Sequence, residues 1–199
     1  MIKLIIFDYY GVTTKGSYQD TCRWLSKKYH LSYELVYQVI YHKYFSRAAL
    51  GKITERESLL RPIREFGLRE TPESIMLKHI SFQVENKPVV RLMLQLQKDG
   101  YKILILSKNT PPQFKAALKK LKTRAYFKNI INTFDLKLPK ASIKTIRYIL
   151  NKFKVKPEQT IMIDDQDFNL SAAKKIGVKV ILYKNLKYFK HKIKIYLEK

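Results

Sequence analysis

The sequence predicts an α/β protein built on a doubly wound parallel sheet, with an all-helical insert after the first strand. Short apolar runs rich in β-branched residues occur at the start of the chain and again in its second half. Such runs are typical of strands that are buried on both faces of a sheet. Amphipathic helical patterns separate the later runs, whereas the segment 17–86 has helical patterns and no clear strand.

The elements of the core follow in order along the chain. The first strand is "IKLIIF" at 2–7, and later strands are predicted at 101–106, 129–134, 160–163 and 178–183. Apolar residues at helical spacing predict the connecting helices. These residues are Val89, Leu92, Met93 and Leu96, then Phe114, Ala117, Leu118 and Leu121, then Ile143, Ile146, Ile149 and Leu150. In such a sheet, ligands bind beyond the carboxyl ends of the strands.

The insert is predicted to form a separate helical domain over 16–86, and the core to comprise 1–15 and 87–199. Thr54 and Glu57 form a capping box, and Thr71 followed by Pro72 is typical of a helix start. Hinges are expected near 14–18 and 84–88. A further helix is predicted from the apolar stripe Leu35, Val36, Val39 and Ile40.

The composition restricts the classes of function. A chain of 199 residues suits one α/β core with a small additional domain. No apolar stretch reaches the ~20 residues of a membrane helix. The N-terminus lacks the features of a secretory signal, so we expect a cytoplasmic protein that does not enter a membrane. Cys22 is the only cysteine, which excludes an internal disulfide and a multi-cysteine zinc site.

The formal charge of +24 is the least ordinary property of the chain. Such a charge would attract polyanions, so weak nucleic-acid binding is one interpretation. The charge comes mainly from lysine, and the chain is also rich in Ile and Tyr, which is the composition that an AT-rich genome produces. Sequence-specific nucleic-acid sites favour arginine, so genome composition is the alternative explanation.

Polar side chains stand at the predicted carboxyl ends of several strands. Asp8 follows the first strand, Ser107 follows "KILIL", and Asp164 and Asp165 follow "IMI". Lys140 precedes the helix "ASIKTIRYIL". Carboxylates from two strand ends can hold Mg²⁺, which prefers one or two carboxylates together with water and phosphate oxygens. A hydroxyl and a lysine can bind those phosphate oxygens.

These residues lie in four motifs that resemble those of the haloacid dehalogenase-like hydrolase superfamily. The motifs are "FDYYGV", "LILSKN", "PKASIKTIRYIL" and "IDDQDFNLSAAKKIG". The helical insert lies where one subfamily places its helical cap, after the first motif. The resemblance implies a Rossmann-like core with strand order 5-4-1-2-3. It also implies a hydrolase, most often a phosphatase that acts on a small phosphorylated metabolite.

The resemblance assigns the catalytic roles residue by residue. Asp8 would be the nucleophile that forms an aspartyl-phosphate. Ser107 would bind the transferring phosphoryl group together with Lys108 and Asn109. Lys140 would hold both that group and the Asp8 carboxylate.

The resemblance also implies a Mg²⁺ site. Asp165 would be the main carboxylate ligand, with Asp164 supporting it. Asp8 and the backbone carbonyl of Tyr10 would complete the protein ligands. Asn169 would orient the carboxylate ligands without binding the metal itself.

Tyr10 departs from the family pattern, because most phosphatases of the superfamily have an acid/base aspartate two residues after the nucleophile. A phenol with an ordinary pKa near ~10 replaces it poorly, which predicts slow turnover. Three functions therefore remain open: a slow or specialised phosphatase, a 2-haloacid dehalogenase, and an inactive binding module. The ligand of such a module could be a nucleic acid. Dehalogenases carry Asp-x-Tyr-Gly themselves. However, they use no metal and lack acids at the place of Asp164 and Asp165.

Overall fold

The structure is a computed structural model that describes residues 1–198, and its main feature is a five-stranded parallel sheet. The strands are ordered β5-β4-β1-β6-β7, which is the order predicted for the core. They are β1 (Leu4–Asp8), β4 (Lys102–Ser107), β5 (Ile130–Asn132), β6 (Thr160–Asp164) and β7 (Lys179–Leu182). A two-stranded antiparallel ribbon consists of β2 (Thr14–Lys15) and β3 (Val84–Glu85).

Twelve α-helices lie in the described part of the chain. The helices of the insert are α1 (Tyr18–Tyr29), α2 (Tyr33–Tyr37), α3 (Ser46–Ala48), α4 (Glu55–Glu65) and α5 (Pro72–Phe82), with a π-helical segment, Gln38–Phe45, between α2 and α3. The helices around the sheet are α6 (Lys87–Lys98), α7 (Pro111–Lys120), α8 (Thr123–Tyr126), α9 (Thr133–Leu136), α10 (Ile143–Phe153), α11 (Asp167–Lys175) and α12 (Leu186–Leu197). No helix in residues 1–198 is long and apolar enough to cross a membrane.

The first strand is buried on both faces, which explains its unbroken apolar sequence. Ile5 and Phe7 pack in one hydrophobic layer, with α6, α7 and α12. Leu4 and Ile6 pack in the opposite layer, with α10 and α11. Because β1 lies between β4 and β6, the strand order reverses there, and the crevice at its carboxyl end is where a ligand site is expected.

The insert has a hydrophobic core of its own, in which Cys22 and Leu25 are fully buried. The capping box of Thr54 and Glu57 is formed, and Thr71 caps α5 with Pro72 in its first turn. The chain enters the insert beside β2 and leaves it through β3, so the pairing of these strands joins the two connections. Asn86 adds a hydrogen bond from its side-chain amide to the Val12 carbonyl oxygen (2.8 Å).

The structure corrects four local predictions. Segment 17–86 does contain a strand, because Val84 and Glu85 pair with β2. The strand predicted over 129–134 covers three residues, because α9 begins at Thr133. Leu35 is 51% exposed and Ile143 is 37% exposed, so neither belongs to the buried stripe predicted for its helix. Both lie in the first turn of a helix, and the residues that are buried follow further along.

Candidate active site

Three carboxylates meet at the carboxyl ends of β1 and β6. Asp8 is the last residue of β1, Asp164 is the last residue of β6, and Asp165 follows directly. One carboxylate oxygen from each lies within 4.8 Å of the other two. Asp8 and Asp164 are almost completely buried, whereas Asp165 is half-buried. Adjacent parallel strands end at the same edge of the sheet, and this brings the first and fourth motifs together.

Lys140 lies between two of these carboxylates. Its Nζ atom is 2.5 Å from Asp8 Oδ1 and 2.6 Å from Asp164 Oδ2, and its side chain is 2% exposed. The residue precedes α10, whose first turn is capped by the Ser142 hydroxyl. One ammonium group therefore faces three carboxylates, and the cluster carries an excess of negative charge.

The pKa values of the cluster reflect this imbalance. Burial raises the pKa of Asp8 well above its ordinary value, and the neighbouring Asp164 raises it further, while Lys140 opposes both effects. Burial and Asp164 also raise the pKa of Asp165, to about 6. A bound cation would remove the repulsion that contributes to both shifts.

Asp164 and Asp165 differ in the hydrogen bonds that their carboxylate oxygens accept, and the difference suits a divalent cation. Asp164 Oδ1 accepts hydrogen bonds from the Gln166 backbone amide (2.9 Å) and the Asn169 side chain (3.0 Å). The Oδ1 atom of Asp165 is buried and accepts no hydrogen bond from residues 1–198. Such an orphaned carboxylate oxygen beside two other carboxylates is the arrangement that an oxygen-ligated cation requires.

Gly11 lets the first loop approach Asp165. The glycine has φ of +83°, and a Cβ atom there would lie 2.2 Å from Asp165 Oδ2. Only glycine combines that backbone conformation with the absence of a side chain. The loop after β1 and the acids after β6 therefore fit together closely.

The segment after β4 supplies polar groups of different kinds. The Ser107 hydroxyl is buried without a hydrogen-bond partner in the described chain. The Asn109 side-chain carbonyl accepts a hydrogen bond from the Thr110 amide (2.8 Å). Lys108 and Asn109 line the same cavity as Asp8, whereas Ser107 is fully buried and is not among the residues that line it.

Tyr10 also lines the cavity, and its hydroxyl is buried without a hydrogen-bond partner in residues 1–198. Burial raises its pKa well above the ordinary value for tyrosine. The phenol therefore stays protonated near neutral pH and releases its proton less readily than an exposed tyrosine.

The insert contributes aromatic side chains and one histidine to the lining of the cavity. Tyr37 and Tyr41 line the cavity and also pack against the hydrophobic core of the insert. Tyr18, Phe45 and His79 line the cavity as well, although the sequence did not predict them there. Four-residue spacing from Tyr41 could have indicated Phe45. Nothing in the local sequence distinguishes the other two from ordinary residues of the insert.

His79 is held by hydrogen bonds at both ring nitrogens. Its Nδ1 atom is 2.8 Å from the Thr21 hydroxyl oxygen, and its Nε2 atom is 2.8 Å from the Gln83 amide nitrogen. Burial lowers the pKa of the ring to about 3. The histidine is therefore neutral near pH 7 and cannot act as an acid there.

Comparison with known proteins adds independent information. The model of the family "haloacid dehalogenase-like hydrolase" matches residues 32–183, a range that begins after Asp8 and Tyr10. Pyrophosphatase PpaX of Bacillus velezensis is 26% identical over 102 residues, which cover 51% of this chain and 47% of the relative. The chain thus spans about half the length of the curated relatives that it matches.

Solved structures share the fold over nearly the whole chain. A HAD family enzyme from Bacteroides thetaiotaomicron has a TM-score of 0.79 at 20% identity, covering 96% of this chain and 98% of its own. That protein has also been solved in complex with magnesium and inorganic phosphate. An L-2-haloacid dehalogenase from Xanthobacter autotrophicus has a TM-score of 0.67 at 17% identity, covering 98% and 83% of the two chains.

Proposed function

The chain belongs to the haloacid dehalogenase-like hydrolase family, and from this premise we propose that it is a Mg²⁺-dependent phosphatase acting through an aspartyl-phosphate on Asp8. The observation that carries the proposal is the cluster in which Lys140 contacts Asp8 and Asp164 while Asp165 keeps an unpartnered oxygen. The pyrophosphatase relative and the neighbour solved with magnesium and phosphate support it.

Each residue of the cluster has a distinct role in this proposal. The Asp8 carboxylate attacks phosphorus, the bond from phosphorus to the leaving oxygen breaks, and water later hydrolyses the aspartyl-phosphate to release phosphate. Lys140 holds Asp8 in place and offsets negative charge on the phosphoryl oxygens. Ser107, Lys108 and Asn109 bind the transferring group.

Four residues would hold the metal. Asp8, Asp164, Asp165 and the Tyr10 carbonyl are the proposed ligands, and Asn169 orients Asp164 through its 3.0 Å hydrogen bond. When bound, Mg²⁺ supplies positive charge to the phosphoryl oxygens of the substrate. Two or more carboxylates without such a cation would repel an anionic substrate.

The remaining features fit a phosphatase that works on small molecules. We propose that residues 16–86 act as a cap over the site, with the core formed by 1–15 and 87–199. The substrate is then a small phosphorylated metabolite that enters between cap and core. Weak polyanion binding through the +24 charge is a separate proposal, and its test is salt-dependent binding.

Two other functions explain fewer features of the site. A dehalogenase needs no metal, so it leaves the acids at 164 and 165 unexplained. An inactive binding module has no use for a buried cluster of like charges, because such a cluster is costly to fold. Both functions are outcomes of the following test.

The test is hydrolysis of acetyl phosphate and 4-nitrophenyl phosphate with Mg²⁺ and with chelator. Neither leaving group needs much protonation, so the assay examines nucleophile and metal without requiring an acid at Tyr10. We expect metal-dependent turnover that Asp8→Asn abolishes and that Asp167→Asn retains, since Asp167 is an exposed acid close by in sequence. Equal turnover by Asp8→Asn would remove Asp8 from the nucleophilic role. If neither compound is turned over, 2-chloropropionate is the next substrate, with chloride release as the readout.

A further inference from the structure

Four aromatic side chains form a continuous stack along the insert. Tyr33, Tyr37, Tyr41 and Phe45 follow one another at four-residue spacing, with centroid distances of 5.8, 5.0 and 5.4 Å. The angles between successive ring planes are 16°, 8° and 21°. The last two rings lie in the π-helical segment Gln38–Phe45, and such segments frequently mark functional sites.

One end of this stack forms a wall of the cavity that contains Asp8. Tyr37, Tyr41 and Phe45 line the cavity, whereas Tyr33 does not. Tyr18 joins the wall, with its ring centroid 4.2 Å from that of Phe45. An aromatic ligand could pack against this wall in edge-to-face or offset contacts, which are favourable for aromatic rings.

Lys108 adds a positive charge next to this wall. Its Nζ atom lies 4.6 Å from the centroid of the Tyr41 ring, and the residue lines the same cavity as Asp8. The lining of the cavity therefore combines aromatic side chains with the cationic groups of Lys108 and Lys140. A ligand that carries both a ring and a phosphate matches both kinds of group.

No carboxylic acid or histidine that lines the cavity in residues 1–198 is free to protonate a leaving oxygen. Among the lining residues that the structure describes, the only carboxylic acids are Asp8 and Asp165. Asp8 is the proposed nucleophile, and Asp165 is a proposed metal ligand. The two ring nitrogens of His79 are engaged by Thr21 and Gln83. An alcohol leaves poorly without a proton, whereas a phenol leaves as a much weaker base.

We propose, on the basis of the phosphatase function above, that the substrates are aryl phosphates, in which the phosphate is esterified to a phenolic or heteroaromatic hydroxyl. The ring packs against the wall formed by Tyr37, Tyr41 and Phe45. Asp8 forms a bond to phosphorus, the bond between phosphorus and the aryl oxygen breaks, and the aryl oxide takes its proton from solvent. Water then cleaves the aspartyl-phosphate, which regenerates Asp8 and releases inorganic phosphate.

The first experiment measures binding and does not depend on turnover. Phenylphosphonate and methylphosphonate carry the same head group on a ring or a methyl group, and calorimetry with Mg²⁺ gives both dissociation constants. We expect phenylphosphonate to bind at least about tenfold more tightly. Tyr41→Leu should reduce this preference to below about threefold, whereas Tyr33→Leu, one ring beyond the cavity, should keep it. If Tyr41→Leu does not fold, Tyr37→Leu takes its place.

The second experiment compares turnover of phenyl phosphate, ethyl phosphate and acetyl phosphate. We expect phenyl phosphate to exceed ethyl phosphate by at least ~10² in kcat/KM, which is the lower range of a missing proton-transfer step. Acetyl phosphate has a good leaving group and no ring, so it tests the phosphatase function alone. Its hydrolysis together with equal binding of the two phosphonates would overturn the aryl proposal and retain the phosphatase. Failure of all three phosphates would overturn the phosphatase, while equal binding of the phosphonates would still refute a ring site.

Discussion

Replacing Lys140 by methionine should destabilise the protein strongly when no metal is present. The variant removes the ammonium group that contacts both Asp8 and Asp164, and leaves their oxygens within 4.8 Å of each other. At an effective dielectric constant of ~20, two unit charges at that distance repel by ~3.5 kcal/mol. This agrees with the ~3–5 kcal/mol that is usual when one partner of a buried ion pair is removed.

The assay is thermal unfolding with chelator and with Mg²⁺. A loss of ~3–5 kcal/mol corresponds to a decrease in Tm of ~6–20 °C for a chain of this size. Mg²⁺ should restore part of the loss, because it supplies the missing positive charge. Lowering the pH should also reduce the loss, since protonating one carboxyl removes the repulsion. The control is Lys144→Met, an exposed lysine in α10. A loss below ~1 kcal/mol for Lys140→Met, or an equal loss for the control, would refute the reasoning.

Three further predictions concern other parts of the molecule. Because burial lowers the pKa of His79 to about 3, the neutral ring stabilises the fold above its unfolded pKa of ~6.5, and this contribution is lost as the pH falls from there towards 3. In urea unfolding, the free energy of unfolding of the wild type should therefore fall by ~2 kcal/mol more than that of His79→Gln between pH 7 and 5. Equal losses would contradict the lowered pKa of His79. Gly11→Ala should weaken Mg²⁺ binding in calorimetry, because the added Cβ meets Asp165. Gly100→Ala is the matched control, with φ of +92° and no atom within 4 Å of the added Cβ, and a metal affinity lowered equally in both variants would argue against a local clash. Any binding to DNA should fall steeply between 50 and 200 mM salt, and binding insensitive to salt would exclude a simple charge effect.

The core was predictable because each of its strands has a simple local signature. Every residue of β1 is buried, so its sequence is apolar throughout and ends abruptly at Asp8. The meeting of Asp8 with Asp164 follows from topology alone, since β1 and β6 are neighbours. Sequence patterns also predicted the caps of α4 and α5, because capping depends on residues only three positions apart.

The cavity wall was less predictable because it depends on how the insert is oriented against the core. Four-residue spacing of aromatic residues is compatible with packing, with ligand binding or with both. It does not distinguish an α-helix from the π-helical segment Gln38–Phe45. Tyr18 and His79 face the cavity only because α1 and α5 lie side by side with those residues inward. The buried, unpartnered Oδ1 atom of Asp165 is likewise a property of three-dimensional contacts that no motif encodes.

Cys22 makes the insert measurable by chemical labelling. The only thiol of the chain is fully buried in the hydrophobic core of the insert, and burial raises its pKa to about 12. A thiol reagent can therefore reach it only when the helices of the insert separate, and the labelling rate reports the free energy of that local opening. The wild-type protein thus contains a native reporter of how stable the insert is, without signal from the sheet or its flanking helices.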